Sequence, residues 1–97
     1  MQTKDGILKI LHKLKNDLME RYKVKKLWVF GSFVRQEQSK KSDIDLLVDF
    51  AEGASLFDLI GLGLFLEEKL GHKVDVVSKR ALRKEIKDSV FKEMVAI

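Results

Sequence analysis

Ile7, Leu11, Leu14 and Leu18 recur at intervals of three and four, with charged residues between them, and this spacing predicts an amphipathic helix over about residues 4–22. The next apolar run, Leu27-Trp28-Val29-Phe30, is short and stopped by Gly31-Ser32, so it reads as a buried strand entering a tight turn, with room for a short helix from Ser32. Gln36 to Ser42 is polar and reads as a loop. Asp43 to Phe50 begins with alternation and is rich in aliphatic residues, which predicts a second strand ended by Ala51-Glu52-Gly53. Ser55 followed by Asp58 has the form of a capping box. Leu56, Leu59, Leu66 and Leu70 then share a helical face up to Gly71, a stop signal, despite Gly61 and Gly63 inside the run. Lys73 to Ser78 predicts a third strand, and Leu82, Ile86, Val90 and Met94 form the stripe of a last helix. The predicted order is α-β-(α)-β-α-β-α.

Composition narrows the classes of function. The 97 residues fit one domain spanning 1–97, with no proline, linker or repeat to divide it. With 45% hydrophobic and 35% charged residues, the chain can bury a modest core under a charged surface, which argues against disorder. The absence of cysteine excludes disulfides, thiolate metal sites and a cysteine nucleophile, and His12 and His72 read as surface residues. The net charge of +4 is spread along the chain, so nucleic acid is not indicated. No apolar run approaches the ~18–20 residues that span a bilayer and no signal-peptide pattern opens the chain, so a cytoplasmic location without a membrane is expected. Trp28, Phe30, Phe57, Phe65 and Phe91 sit in apolar segments and read as core. The segment Val90 to Ile97 fits either core or a partner interface.

Candidate chemistry is concentrated between Gly31 and Asp45, with one further acid at Asp75. Side chains alternate along a strand, so Asp43 and Asp45 point to one face with Cα atoms roughly 6.5–7 Å apart while Ile44 and Leu46 point to the core. Two neighbouring anions need a cation between them, and hard oxygen donors suit Mg²⁺ or Mn²⁺. Asp75 adds a third carboxylate if its strand lies alongside, and three acids can hold two metal ions for in-line phosphoryl transfer. Gly31 allows a tight turn, Ser32 can cap a helix or bond a phosphate, and Arg35 lies about one turn further on. Each has an ordinary structural explanation on its own: caps and turns prefer Gly and Ser, and acid pairs are common on exposed strands. Asp49 shares the parity of the pair but reads as a strand-end residue. Lys40, Lys41, Lys79 and Arg80 read as solvated basic residues that could flank a triphosphate.

Taken together, Gly31-Ser32, Arg35 and Ser42-Asp43-Ile44-Asp45-Leu46 with Val48 resemble the signature of the minimal nucleotidyltransferases of the DNA polymerase beta-like superfamily. Ser55 to Leu59, Gly71 to Val77 and the ending from Leu82 to Ile97 resemble its small antitoxin members. The resemblance implies a nucleotidyltransferase fold of the α/β (α+β) class, with a small mixed β-sheet flanked by helices. It implies that Gly31, Ser32, Arg35 and Ser42 bind the nucleotide, and that Asp43, Asp45 and Asp75 are catalytic and hold two Mg²⁺ ions, with Mn²⁺ as an alternative. It further implies transfer of AMP from ATP to a protein hydroxyl, with a HEPN-domain RNase toxin as the acceptor that is thereby neutralised. Gln36 departs from the Gly that many relatives carry after the Arg, and this motivates an alternative, a catalytically weak module that neutralises its partner by contact alone. A nucleic-acid-binding domain ranks last, and the oligomeric state stays open.

Overall fold

The computed structural model describes residues 4–31 and 44–97. Helix α1 (Lys4–Tyr22) buries Ile7, Leu11 and Leu18, as the spacing predicts. Lys23 alone turns the chain into β1 (Val24–Phe30), in the left-handed region at φ 58°. Strand β1 therefore starts three residues before the expected Leu27. Strand β2 (Ile44–Phe50) leads to α2 (Leu56–Leu70), β3 (Val74–Ser78), a 3-10 turn (Lys79–Ala81) and α3 (Lys84–Glu93). The expected helix stripe is trimmed at both ends, because Leu82 precedes α3 and Met94 follows it.

The sheet is mixed, in the order β3-β2-β1-β4, with β4 formed by Val95–Ala96. β1 and β2 are antiparallel, whereas β2 and β3 run parallel and are joined through α2. β4, absent from the sequence reading, pairs antiparallel with β1. Its two residues are too few for alternation to reveal. Ile97 N donates to Leu27 O at 2.9 Å and its side chain joins the core.

One face of the sheet carries the core. Leu27, Val29, Ile44, Leu46, Val48 and Val74 pack there against Ile7, Leu11 and Leu18 of α1 and Leu62, Leu66 and Leu70 of α2. Gly61 lets α2 approach α1, since a Cβ there would lie 3.0 Å from Tyr22 Cε1. The helix bounds match the sequence signals: Ser55 N donates to Asp58 Oδ2 at 2.8 Å, and Gly71 ends the helix at φ 68°. Two expectations about its faces need correction. Leu56 and Phe57 are exposed rather than buried, because the helix turns Leu62, Leu66 and Leu70 to the core and leaves the opposite side outward. Trp28, Phe30, Phe65 and Phe91 are half-buried.

Removing the carboxylate that closes the capping box leaves the Ser55 N–H without its partner. Asp58→Ala is expected to cost about 1 kcal/mol, readable as a lower urea midpoint with an unchanged slope.

Candidate active site

The register of the sheet brings the acids together. Phe30, the last residue of β1, is the pairing partner of Asp45, and Asp45 is in turn the parallel partner of Asp75. Paired residues project to the same face. With Ile44, Leu46, Val74 and Val76 directed to the core side, Asp45 and Asp75 stand side by side on the opposite face, on strands roughly 4.8 Å apart. Asp45 is half-buried and Asp75 exposed.

Gly31 completes this corner. It has φ +82°, and a Cβ built on it would collide with the Asp45 carboxylate, lying 3.2 Å from Cγ. Positive φ and the close approach both require glycine here. The end of β1 is thus main chain laid directly against an acidic side chain.

Further along the same face, Trp28 pairs with Leu47. Lys79, just past β3, places its Nζ 5.3 Å from the Trp28 ring centroid. In the sequence Lys79 reads as a solvated base and Trp28 as a core aromatic. No spacing rule joins positions 28 and 79; only the sheet order does. Asp49 pairs with Lys26 and is half-buried, four residues along β2 from Asp45. Arg80 is exposed and lines a hollow with Phe50, Ser55 and Ser78 beyond the other end of the parallel strands, away from the acid pair. His12 is exposed and His72 half-buried.

Of the residues expected in the site, Gly31, Asp45 and Asp75 are brought together. Ser32, Arg35, Ser42 and Asp43 lie outside the described residues, as do Gln36, Lys40, Lys41 and the short helix expected from Ser32. Among the described residues no group of three or more His, Cys, Asp or Glu side chains could hold a metal ion alone. Two hard carboxylates in adjacent register nevertheless fit part of a Mg²⁺ ligand set.

The profile of the nucleotidyltransferase domain family matches residues 11–97. The chain belongs to the nucleotidyltransferase domain family. A nucleotidyltransferase relative, the protein adenylyltransferase MntA of Thermococcus cleftensis, is 43% identical over 97 residues, covering 100% of this chain and 98% of its own. A solved structure provisionally described as a minimal nucleotidyltransferase is 35% identical with a TM-score of 0.84, covering 99% of this chain and 97% of that one. The same nucleotidyltransferase fold, at 21% identity and a TM-score of 0.66, occurs in a crystal structure of a tri-AMPylated Shewanella oneidensis HEPN toxin with its MNT antitoxin, which covers 93% of this chain and 70% of that one. No helix among the described residues is long and apolar enough to cross a membrane.

Gly31→Ala would impose left-handed backbone strain and push against Asp45 together. A loss of about 1–3 kcal/mol is expected, seen as a lower melting temperature, with amide shifts in β2 centred on Asp45.

Proposed function

We propose that this nucleotidyltransferase, acting in the cytoplasm as one domain over residues 1–97, transfers AMP from ATP to a hydroxyl of a protein, with a HEPN-domain RNase toxin as the acceptor it neutralises. The observation that carries the reading is the adjacent register of Asp45 and Asp75 beside the glycine corner at Gly31. The protein adenylyltransferase name of the Thermococcus relative and the AMPylated HEPN toxin in the Shewanella complex support the choice of donor and acceptor.

In this reading Gly31, Ser32, Arg35 and Ser42 hold the nucleotide phosphates. Asp45 and Asp75, with Asp43, hold divalent cations, Mg²⁺ in the first instance. When bound, these cations offset charge on the α-phosphate and the leaving group. The acceptor hydroxyl oxygen bonds to the α-phosphorus, the bond from that phosphorus to the β-phosphate bridging oxygen breaks, and pyrophosphate leaves. Asp75, exposed at its strand, takes the hydroxyl proton. Asp45, half-buried and packed close to Gly31, orients the corner for in-line attack.

The decisive experiment is a two-dimensional amide NMR titration with ATP, with and without Mg²⁺, on the wild type and on Asp45→Asn. The expected result is Mg²⁺-dependent shifts around Gly31, Asp45 and Asp75 that disappear in the folded variant. AMP transfer to a HEPN-domain protein from α-labelled ATP should fall by 100-fold or more in that variant, equivalent to about 2.7 kcal/mol of transition-state stabilisation. A folded Asp45→Asn protein that neutralises its toxin as well as the wild type would instead establish the contact-only module for which Gln36 is the motive.

A further inference from the structure

Helix α2 is apolar on two sides. Leu62, Leu66 and Leu70 enter the core, yet Leu56, Phe57, Ile60 and Leu64 stay exposed at 69%, 85%, 49% and 63%. At 100° per residue these four fall within one strip of the helix surface, about 100° wide and turned away from the buried side. Together they present roughly 500 Å² of apolar surface, at the upper range for one patch on a monomer. A soluble domain has no packing reason to keep such a stripe beside a complete core.

Its surroundings point to what covers it. Ile60 and Leu64 also line a groove of about 250 Å³ between α2 and the edge strand β3, whose other walls include Gly63, Val76 and Asp75. The groove therefore joins the Ile60 and Leu64 end of the stripe to the candidate acid. Glu67, half-buried, lines the groove at its C-terminal end, and Glu68 beside it is exposed, while Lys69 places its ammonium over the Phe65 ring at 5.5 Å. With Asp75 exposed beside the groove, this end of the surface is acidic in a chain whose net charge is +4. The apolar area is short of the ~800 Å² per partner that a stable dimer buries, and suits the smaller interfaces of transient encounters.

We infer that this face of α2, with the groove beside β3, is the docking surface for the protein substrate. The substrate lays an apolar segment bordered by basic residues along Leu56, Phe57, Ile60 and Leu64, and thereby delivers its hydroxyl around the β3 edge to Asp75. The inference rests on the AMP-transfer reading and adds the surface that selects a protein acceptor over a free small alcohol. An apolar anchor supplies residence, and the acids Glu67 and Glu68 supply orientation and a faster encounter.

The test uses the full chain, ATP with Mg²⁺, and a HEPN-domain protein as acceptor. Ile60→Ser with Leu64→Ser, and separately Glu68→Lys, are the variants. The serine pair changes only exposed side chains. Glu67 is left in place because its Oε2 accepts from Val74 N at 3.1 Å and so positions β3. The expected result is a KM for the acceptor protein raised at least tenfold, with kcat at saturating acceptor and the affinity for ATP unchanged. Glu68→Lys should also weaken the salt dependence seen with the wild type. Labelling by the wild type with no change in either variant overturns the docking surface and leaves the activity standing. Failure of the wild type to label the acceptor while it binds ATP with Mg²⁺ overturns both. Sedimentation showing a wild-type dimer that the serine pair disperses overturns it too, because a second copy would then cover the face.

Discussion

The geometry of this molecule hangs on a missing side chain. At the end of β1 the chain must pass so close to the Asp45 carboxylate that no Cβ fits, and it must do so at a backbone angle of +82°. Both conditions depend on the antiparallel register that sets Phe30 against Asp45. A slip of one residue between β1 and β2 would turn Asp45 into the core and bring Ile44 or Leu46 to the outer face. The buried leucines and valines therefore hold the register, and the register holds the acids. Packing on one face of the sheet fixes the position of charge on the other.

The parallel crossover contributes the second acid. β2 and β3 are consecutive strands joined through α2, and the helix that makes this connection also covers the core face. Val74 begins β3 with its N–H held by Glu67 Oε2 at 3.1 Å, which sets where the edge strand starts and hence where Asp75 falls. Gly63 admits Val76 Cγ2 within ordinary contact of the helix backbone, at 3.6 Å from where its Cβ would be. The same helix thus sets the depth and position of β3 from one side while its other side stays open.

Much of this is legible in the sequence because short-range rules govern it. The bounds of α1 and α2, the capping box at Ser55 and Asp58, the left-handed Gly71 and the alternation that separates Ile44 and Leu46 from Asp45 all follow from local spacing. The adjacency of Asp45 and Asp75 is not local. The motif resemblance anticipated it, but composition and periodicity could not, since they do not say which strands are neighbours. The errors have a common origin as well. Phe57 and Leu56 read as core because hydrophobicity was taken to imply burial, whereas α2 is apolar nearly all round and only three-dimensional packing decides which side is covered. β4 is not legible because two residues carry no periodicity, and neither is the Lys79–Trp28 contact, which joins distant parts of the chain.

The pairing of β4 with β1 bears on how the molecule is made. Trp28 and Val29 pair with Ala96 and Val95, so one flank of β1 waits for residues that lie far along the chain and are synthesised well after it. Until they arrive, β1 presents a bare strand edge beside a half-built core, and an edge of this kind is a template for pairing with other chains. Closing so long a loop adds little to the equilibrium cost, because that cost grows only logarithmically with length. Its effect is on time. During translation the nascent chain passes through an interval in which its most reactive surface is a hydrogen-bonding edge that belongs inside its own sheet.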